Sequence, residues 1–455
     1  MASRDFTRIL YNSFTPARKK DLAGGANDDN IRMDTQIHQK FSQKGSIKHM
    51  GIRDKNSSWL KPRHRIVRDI ACAVLRPYCR IKYGIRPTPF AAQGDRAYLI
   101  LMNHQTPFDQ FFVGLSFKGA VYYLATEDIF SLGLISSILR WLVAPIPIKK
   151  QTTDIAAVRA CLRVAKEGGT IAMAPEGNRT YSGKTEYINP AVASLAKKMK
   201  LPIALYRIEG GYGVQPRWSD GVRKGQMRAY VARVIEPEEY ATLTNEELYE
   251  LIKDGLAVNE AAPGGLYRSK RRAEYLERAI YVCPYCGLSE FESRGNVTTC
   301  KSCRRQIEYG EGKRLRGIGF DFPFEYMDAW YEYQRDYICA MDVTQNVHAP
   351  LFCDRARLSE VILYKRKRVL RRGADIRLYG DRITIDEGRG NELIFPFDDT
   401  AAVTVLGRNK LNIYHEGRVY QLKGSKHFNA LKYVNIFFRY KNIRRGDLNG
   451  KFLGL

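Results

Sequence analysis

The 455-residue sequence predicts an α/β sheet flanked by helices, followed by a compact cysteine-bounded module and a small mostly-β terminal unit. Three observations predict it. Between about residues 97 and 256, apolar runs too continuous for half-exposed strands alternate with helical periodicities, as a sheet covered on both faces requires. Two Cys-x2-Cys pairs bound residues 283 to 303. From residue 359 to 424, short strand-like runs are separated by glycine turns and followed by one amphipathic segment.

Residues 1–58 are rich in Lys, Arg, Asp, Asn, Gly and Ser without periodicity, and are expected to be poorly ordered apart from a short helix near Phe6 to Tyr11. The sheet domain is placed at 59–265. It opens with a helix carrying Ile66, Val67, Ile70, Val74 and Leu75 on one face and Arg63, Arg65, Arg68, Arg76, Arg80 and Lys82 on another. Such a helix suits attachment to a membrane surface, or equally a helix packed on the domain with a solvated basic side. Strands follow in "AYLILMNH", "AVYYLAT", "APIPIKK", "GTIAMAPEG", "LPIALYRIEG" and "MRAYVARVI", with helices between them and the acidic helix "TNEELYELIKDGLAV" last. Residues 266–281 read as a charged connecting helix, 282–310 as the cysteine module and 311–350 as an aromatic linker helix from Pro323. The terminal β unit takes 351–455, with turns expected at Arg372-Gly373, Gly380-Asp381, Gly388 to Gly390, Gly407 and Glu416-Gly417.

A formal charge of +26 implies an anionic partner: nucleic acid, an anionic membrane surface, or phosphorylated or carboxylated substrates. No basic head precedes an apolar core at the N-terminus, so no signal peptide is expected. The most apolar window, from Ile129, is interrupted by Arg140 and suits an interfacial segment better than a span. Nine cysteines, four of them at metal-type spacing, favour a reducing compartment over a disulfide scaffold. Cys72, Cys79, Cys161, Cys339 and Cys353 have no partner in sequence and are expected as buried small hydrophobes, whereas His415 and His427 are expected at the surface.

The strand "LILM" runs directly into Asn103 and His104, with Asp109 five residues after the histidine. Thr106-Pro107-Phe108-Asp109 reads as a helix start with Thr106 as N-cap, so Asp109 has a capping role available as well as a chemical one. A second buried strand breaks off into Pro175, Glu176, Gly177, Asn178 and Arg179, and a third ends in Lys149 and Lys150. In open α/β sheets ligands bind beyond the carboxyl ends of strands, where a base, a carboxylate pair and several cations would meet. His104-x4-Asp109, Glu176-Gly177-x-Arg179 and "LPIALYRIEG" together resemble the motifs of the glycerolipid acyltransferase superfamily, which includes 1-acylglycerol-3-phosphate acyltransferases, over roughly residues 60 to 260. The second motif departs from the family pattern in having Ala144 and Lys150 at its ends, and Asn178 replaces the commonest residue of the third.

This resemblance implies that His104 and Asp109 are catalytic: the imidazole removes the acceptor hydroxyl's proton, and the carboxylate holds the other ring nitrogen. It implies substrate binding by Asn103, Lys149, Lys150, Glu176, Gly177, Asn178 and Arg179. Arg179 and one of the lysines would hold the acceptor phosphate, Glu176 would orient Arg179 or the glycerol backbone, and Gly177 would let the backbone approach closely. The donor it implies is acyl-CoA or acyl carrier protein, the acceptor a lysophospholipid, foremost 1-acylglycerol-3-phosphate, and no redox cofactor is needed. Placement on the cytoplasmic face of a membrane, peripheral or monotopic, follows.

Cys283, Cys286, Cys300 and Cys303 have the spacing of a zinc ribbon, and four thiolates leave no open position, so the expected zinc is structural. The basic run "YKRKRVLRR", residues 364 to 372, fits an anionic-lipid patch, an RNA-contacting strand or a charge-protected β-edge. The β unit from Asp375 to Lys441 resembles a pleckstrin-homology or GRAM-like domain in strand pattern and terminal helix. A nucleic-acid-binding zinc-ribbon protein is the alternative function, but it leaves His104, Asp109, Glu176 and Arg179 without a task; an acyltransferase of another acceptor, or an acyltransferase fold kept as a scaffold, are the others.

Overall fold

Strand β1 (Leu99–Met102) lies at the centre of a six-stranded sheet completed by β2 (Val121–Thr126), β3 (Ile146–Ile148), β4 (Thr170–Met173), β5 (Ile203–Glu209) and β6 (Arg228–Ile235), in the order β3-β2-β4-β1-β5-β6. The first five are parallel and β6 is an antiparallel edge. The computed structural model describes residues 58–126, 129–131, 134–148, 154–362 and 365–447. The N-terminal segment expected to be poorly ordered, through residue 57, and both Lys149 and Lys150 lie outside the described residues.

Both faces of the sheet are covered, which is why its strands lack polar alternation. Leu99 and Leu101 pack with Val164 of α4 (Ile155–Lys166), Ala196 of α5 (Ala191–Met199) and Ile252 of α6 (Asn245–Leu256). Ile100 and Met102 face the other way, onto Cys72 and Cys79 of α1 (Pro62–Tyr83) and Phe112 of α2 (Asp109–Ser116). Leu99, Ile100 and Leu101 are wholly buried, each contributing about 1.5–3 kcal/mol of apolar burial. Local signals set the helix ends: Asp154 caps α4 by accepting from Ala157 N, and Thr244 with Glu247 forms a capping box on α6. Between β2 and β3, α3 (Leu134–Val143) packs against α1, where Arg63 Nε donates to the Trp141 carbonyl at 3.0 Å.

The expected helix over 268–280 does not form. Apart from a 3₁₀ turn at Leu276–Arg278 this segment is loop, and Tyr275 takes a φ of 71° that ends any helix. Arg272 N donates to Asn296 Oδ1 and Ala273 N to the Gly295 carbonyl, so tertiary partners outbid the local propensity. The cysteine module follows as a β7 (Val282–Cys283) and β8 (Gly287–Leu288) hairpin and a sheet of β9 (Phe291–Arg294), β10 (Val297–Cys300), β11 (Gln306–Tyr309) and β12 (Leu315–Gly317), extending past the expected boundary at 310.

Helix α7 (Met327–Ala340) plugs this module with Trp330, which is fully buried, stacks edge-on to Phe291 and donates from Nε1 to the Val282 carbonyl at 3.0 Å. The terminal unit is a seven-stranded antiparallel sheet in the order β16-β15-β14-β13-β19-β18-β17, from β13 (Phe352–Glu360), β14 (Arg368–Leu378), β15 (Arg382–Ile385), β16 (Leu393–Pro396), β17 (Thr400–Leu406), β18 (Lys410–His415) and β19 (Arg418–Gly424), covered by α8 (Leu431–Arg444). It starts earlier than the strand reading at 359, and no turn occurs at Arg372-Gly373: β14 runs through, its Gly373 lying under the Arg355 side chain. Within the basic run, Arg368 pairs with Glu360 at 2.6 Å. One apolar core joins the cysteine module, α7 and the β unit, and continues into Tyr181, Tyr212 and Trp218 of the sheet domain. The boundaries at 265 and 281 are therefore not breaks in packing. Cys72, Cys79 and Cys161 are buried as expected, but Cys339 is only half-buried and Cys353 is exposed. His427 is exposed yet bonded to buried Glu277, whereas the His415 side chain is only 11 % exposed, against the Phe395 ring, and is not a surface residue.

Candidate active site

Because β1 and β4 are neighbours, with Leu101 opposite Met173, their carboxyl ends deliver His104 and Glu176 to the same rim of the sheet. The two loops are tied together: His104 N donates to Glu176 Oε1 at 2.8 Å, and Thr180 N to the His104 carbonyl at 3.2 Å. The third strand end, β3, leads into Lys149 and Lys150, which lie outside the described residues. β3 is at the sheet edge, beyond β2 and β4, so it lies three strand spacings, about 14 Å, from β1.

Asp109 is fully buried at the start of α2 and organises the whole turn. Its Oδ2 accepts from His104 Nδ1 at 2.8 Å, Gln105 N at 2.6 Å and Thr106 N at 2.9 Å, while Oδ1 accepts from Thr106 Oγ1 at 2.6 Å. The capping and chemical roles are thus one arrangement. Thr106 is not the N-cap expected from sequence; α2 begins after Phe108, and the Thr106 hydroxyl accepts from Phe108 N at 3.1 Å. A carboxylate only accepts, so the His104 proton sits on Nδ1 and Nε2 presents its lone pair. Burial holds the His104 pKa below its ordinary value; the Asp109 bond works against this, and the positive charges of Arg179 and Arg217 add to it. The ring is neutral at pH 7, 23 % exposed, and ready to accept a proton.

Glu176 does not contact Arg179. Its second oxygen accepts from Glu186 N at 2.9 Å, so both oxygens serve backbone amides and fix the loop. Burial pushes its carboxyl up to about 8, further raised by Glu186 and Asp109 and opposed by the two amides. Gly177 has a φ of 69°, which only glycine takes without strain, and a Cβ there would meet no protein atom within 4 Å; the space above it is open. Arg179 has a buried Nη1 without a protein partner. Burial, then Arg217 and Arg408, lower its pKa to about 9. An anion arriving there would relieve all three causes.

Asn103 is wholly buried and spends its amide on the strands, donating to the Ile208 carbonyl at 2.8 Å and accepting from Ile208 N at 2.7 Å. It clamps the end of β1 to β5 and positions His104 without reaching the rim. Asn178 Oδ1 accepts from Arg217 Nη2 at 3.2 Å. Arg217 itself was not anticipated: it lies in "GVQPRWSD", where nothing in the local pattern sets it apart from a surface arginine.

In the cysteine module, the four Sγ atoms of Cys283, Cys286, Cys300 and Cys303 lie within 4.8 Å of one another, with Cys283–Cys303 at 3.7 Å and Cys286–Cys300 at 3.5 Å. Thiolates around tetrahedral zinc sit about 3.8 Å apart, so these residues fit that ion, all four positions being filled by protein.

The Acyltransferase family model matches residues 85–208. Over 190 residues the chain is 22% identical to the chloroplastic 1-acyl-sn-glycerol-3-phosphate acyltransferase LPAT1 of Arabidopsis thaliana, an alignment covering 40% of this chain and 51% of that protein. The chain thus spans about half the length of this curated relative. Among solved structures, the 1-acyl-sn-glycerophosphate (LPA) acyltransferase PlsC of Thermotoga maritima matches at a TM-score of 0.33 and 18% identity, over 42% of this chain and 76% of that one.

Proposed function

We propose, from the match of residues 85–208 to the Acyltransferase family model, that the protein moves a fatty acyl group from a thioester, acyl-CoA or acyl carrier protein, to the hydroxyl of a lysophospholipid, foremost 1-acylglycerol-3-phosphate. The observation that carries the reading is the 2.8 Å bond between His104 Nδ1 and buried Asp109, which leaves Nε2 as a base within electrostatic reach of Arg179, whose Nη1 has no protein partner. Nε2 takes the hydroxyl proton as the oxygen attacks the thioester carbonyl. The C–O bond forms, the C–S bond breaks, and the leaving thiolate recovers the proton from the imidazolium, which Asp109 stabilises meanwhile. Arg179 binds the acceptor's phosphate; Lys149 or Lys150 is a further candidate for that role from the sequence alone.

Peripheral attachment to an anionic membrane surface, on its cytoplasmic side, belongs to the same proposal. No helix among the described residues is long and apolar enough to cross a membrane. Helix α1, however, turns its apolar residues outward: Ile66, Ile70, Val74 and Ile81 are exposed, and the buried face is His64, Cys72, Cys79 and Tyr83. Leu134, Ile135, Ile138 and Trp141 of α3 are exposed too, and Arg65, Arg76, Arg80 and Lys82 flank the apolar surface. Apolar area ringed by cations suits a lipid surface.

The test is full-length protein incubated with lysophosphatidate and a labelled acyl thioester, following phosphatidate. His104→Ala is expected to lower turnover about 10²–10⁴-fold while the variant remains folded. Near wild-type turnover in a folded His104→Ala protein overturns the mechanism.

A further inference from the structure

Arg217 is 3 % exposed, and none of its partners is a carboxylate. Its Nη1 donates to the Arg179 carbonyl at 2.8 Å, its Nη2 to Asn178 Oδ1, and its guanidinium lies 4.2 Å over the Tyr181 ring. Taking a guanidinium out of water without a counter-ion is costly. Three residues further on, Asp220 is shared by two arginines from other parts of the chain: Arg278 Nη1 at 2.7 Å, from the connection into the cysteine module, and Arg408 Nη1 at 3.2 Å, from the terminal β unit.

Arg408 lies in the turn between β17 and β18, and that turn is held firmly. Gly407 has a φ of 63°, and Asn409 Nδ2 donates to the carbonyls of Gly424 and Ser425 at 3.0 and 2.9 Å. The hairpin therefore reaches the sheet domain from a fixed base and lands beside the loop that holds Arg217. Asp220 forms an ion pair with one nitrogen of Arg408; the guanidinium makes no side-chain hydrogen bond among the described residues, and the side chain is 30% exposed. Its charge is close enough to act on Arg179 and on the Tyr83 hydroxyl, which sits behind the catalytic rim and donates to Gln215.

We infer that Arg408, positioned by Asp220, and Arg217 extend the anion site opened by Arg179, so that the terminal β unit supplies a binding residue for the anionic group of the acceptor, a phosphate monoester on a glycerol backbone. The acyl-transfer reading supplies the identity of this ligand; the contacts stand without it, Arg408 on Asp220, three residues from Arg217, and Arg217 on the Arg179 carbonyl. Two of them have no carboxylate partner and the third shares one, which is an arrangement that a phosphate completes through charge-assisted, bidentate bonds.

The test combines calorimetric titration of the full-length protein with glycerol 3-phosphate, which needs no turnover, and kinetics with lysophosphatidate. Arg408→Ala leaves the Arg278–Asp220 pair in place, so the loop keeps its anchor. It is expected to weaken glycerol 3-phosphate binding about tenfold, the loss of one charged hydrogen bond, and to raise KM for lysophosphatidate by a similar factor with little effect on KM for the acyl donor. Arg408→Lys should recover part of both. Wild-type binding in Arg408→Ala, or no binding by the wild-type protein, overturns the inference and leaves the proposed function to its own assay. Arg408-dependent binding in a protein that transfers no acyl group sustains the cationic site and instead defeats the acyl-transfer reading.

Discussion

Glu176→Gln separates burial from hydrogen bonding at the rim by changing how stability depends on pH. In the folded protein the carboxyl is raised to about 8 from an ordinary 4.5, the first cause being burial. The folded state thus keeps its proton across a window in which the unfolded chain has lost it. The unfolded state binds fewer protons there, so stability is highest below pH 4.5, falls as pH rises, and levels off above 8. Each pH unit in the window is worth about 1.4 kcal/mol, so between pH 5.5 and 8 the wild-type protein should lose about 3 kcal/mol through this residue alone. The carboxyl is 3 % exposed, so solvent screening removes little of that. Glutamine cannot titrate, but its amide would point a donor at either His104 N or Glu186 N, a pH-independent cost of about 1–3 kcal/mol. Urea unfolding of both proteins at pH 5.5 and 8 removes that constant. The difference between variant and wild type should shift by about 3 kcal/mol in favour of Gln at the higher pH, every other titrating group cancelling. A difference that does not change with pH would falsify the argument: the two backbone amides would then outweigh burial, and Glu176 would be an ordinary carboxylate.

Asp109→Asn removes the acceptor that fixes the His104 tautomer, and turnover should fall about 10²–10⁴-fold. The wild-type kcat/KM should decline as pH drops through a value below 6.5, since burial lowers the His104 pKa, and the decline should move to still lower pH in Asp109→Asn, whose missing carboxylate had raised it; an acid limb above 6.5 contradicts the assigned base. Elemental analysis should find one zinc per chain, and chelation or Cys300→Ser should lower Tm and expose Trp330 to solvent, because the module and α7 share a core; an unchanged Tm after complete metal removal counts against a structural ion. Ile70→Asp should weaken binding to phosphatidylserine vesicles, read by flotation, about 10- to 150-fold by removing about 1.5–3 kcal/mol of apolar insertion, whereas unaltered flotation would exclude α1 from the contact.

Much of the sheet domain was legible in the sequence because its strands are buried on both sides. "LILM" and "TIAM" carry their own instruction: no alternation, then an abrupt polar break where the strand leaves the core. The same breaks marked His104 and Glu176, and Cys-x2-Cys spacing marked four thiols that the fold brings within 4.8 Å of one another. Failures came where a segment's partners are distant. Residues 268–280 look helical by composition, but the Arg272 and Ala273 amides are taken by Asn296 and Gly295, more than twenty residues away, and Tyr275 turns left-handed. For α1 the sequence leaves two readings open, membrane attachment or packing on the domain; its covered face is the stripe of His64, Cys72 and Cys79, and Ile66, Ile70, Val74 and Ile81 are exposed.

The sequence alone determined the chemistry available: an imidazole and a carboxylate five residues apart, a glycine with an arginine two residues on, and four thiols at ligand spacing. Such facts are local, since a strand end and a helix start fix the geometry between them. Only the tertiary structure decided how that chemistry is distributed. It placed β3 at the far edge of the sheet, turned Glu176 toward backbone amides, and brought Arg408 onto Asp220, three residues from Arg217, although 188 positions separate the pair in the chain. The physical reason is that cations converge at a site through the packing of whole domains on one core, and no short window of residues records which distant turn that packing will bring near.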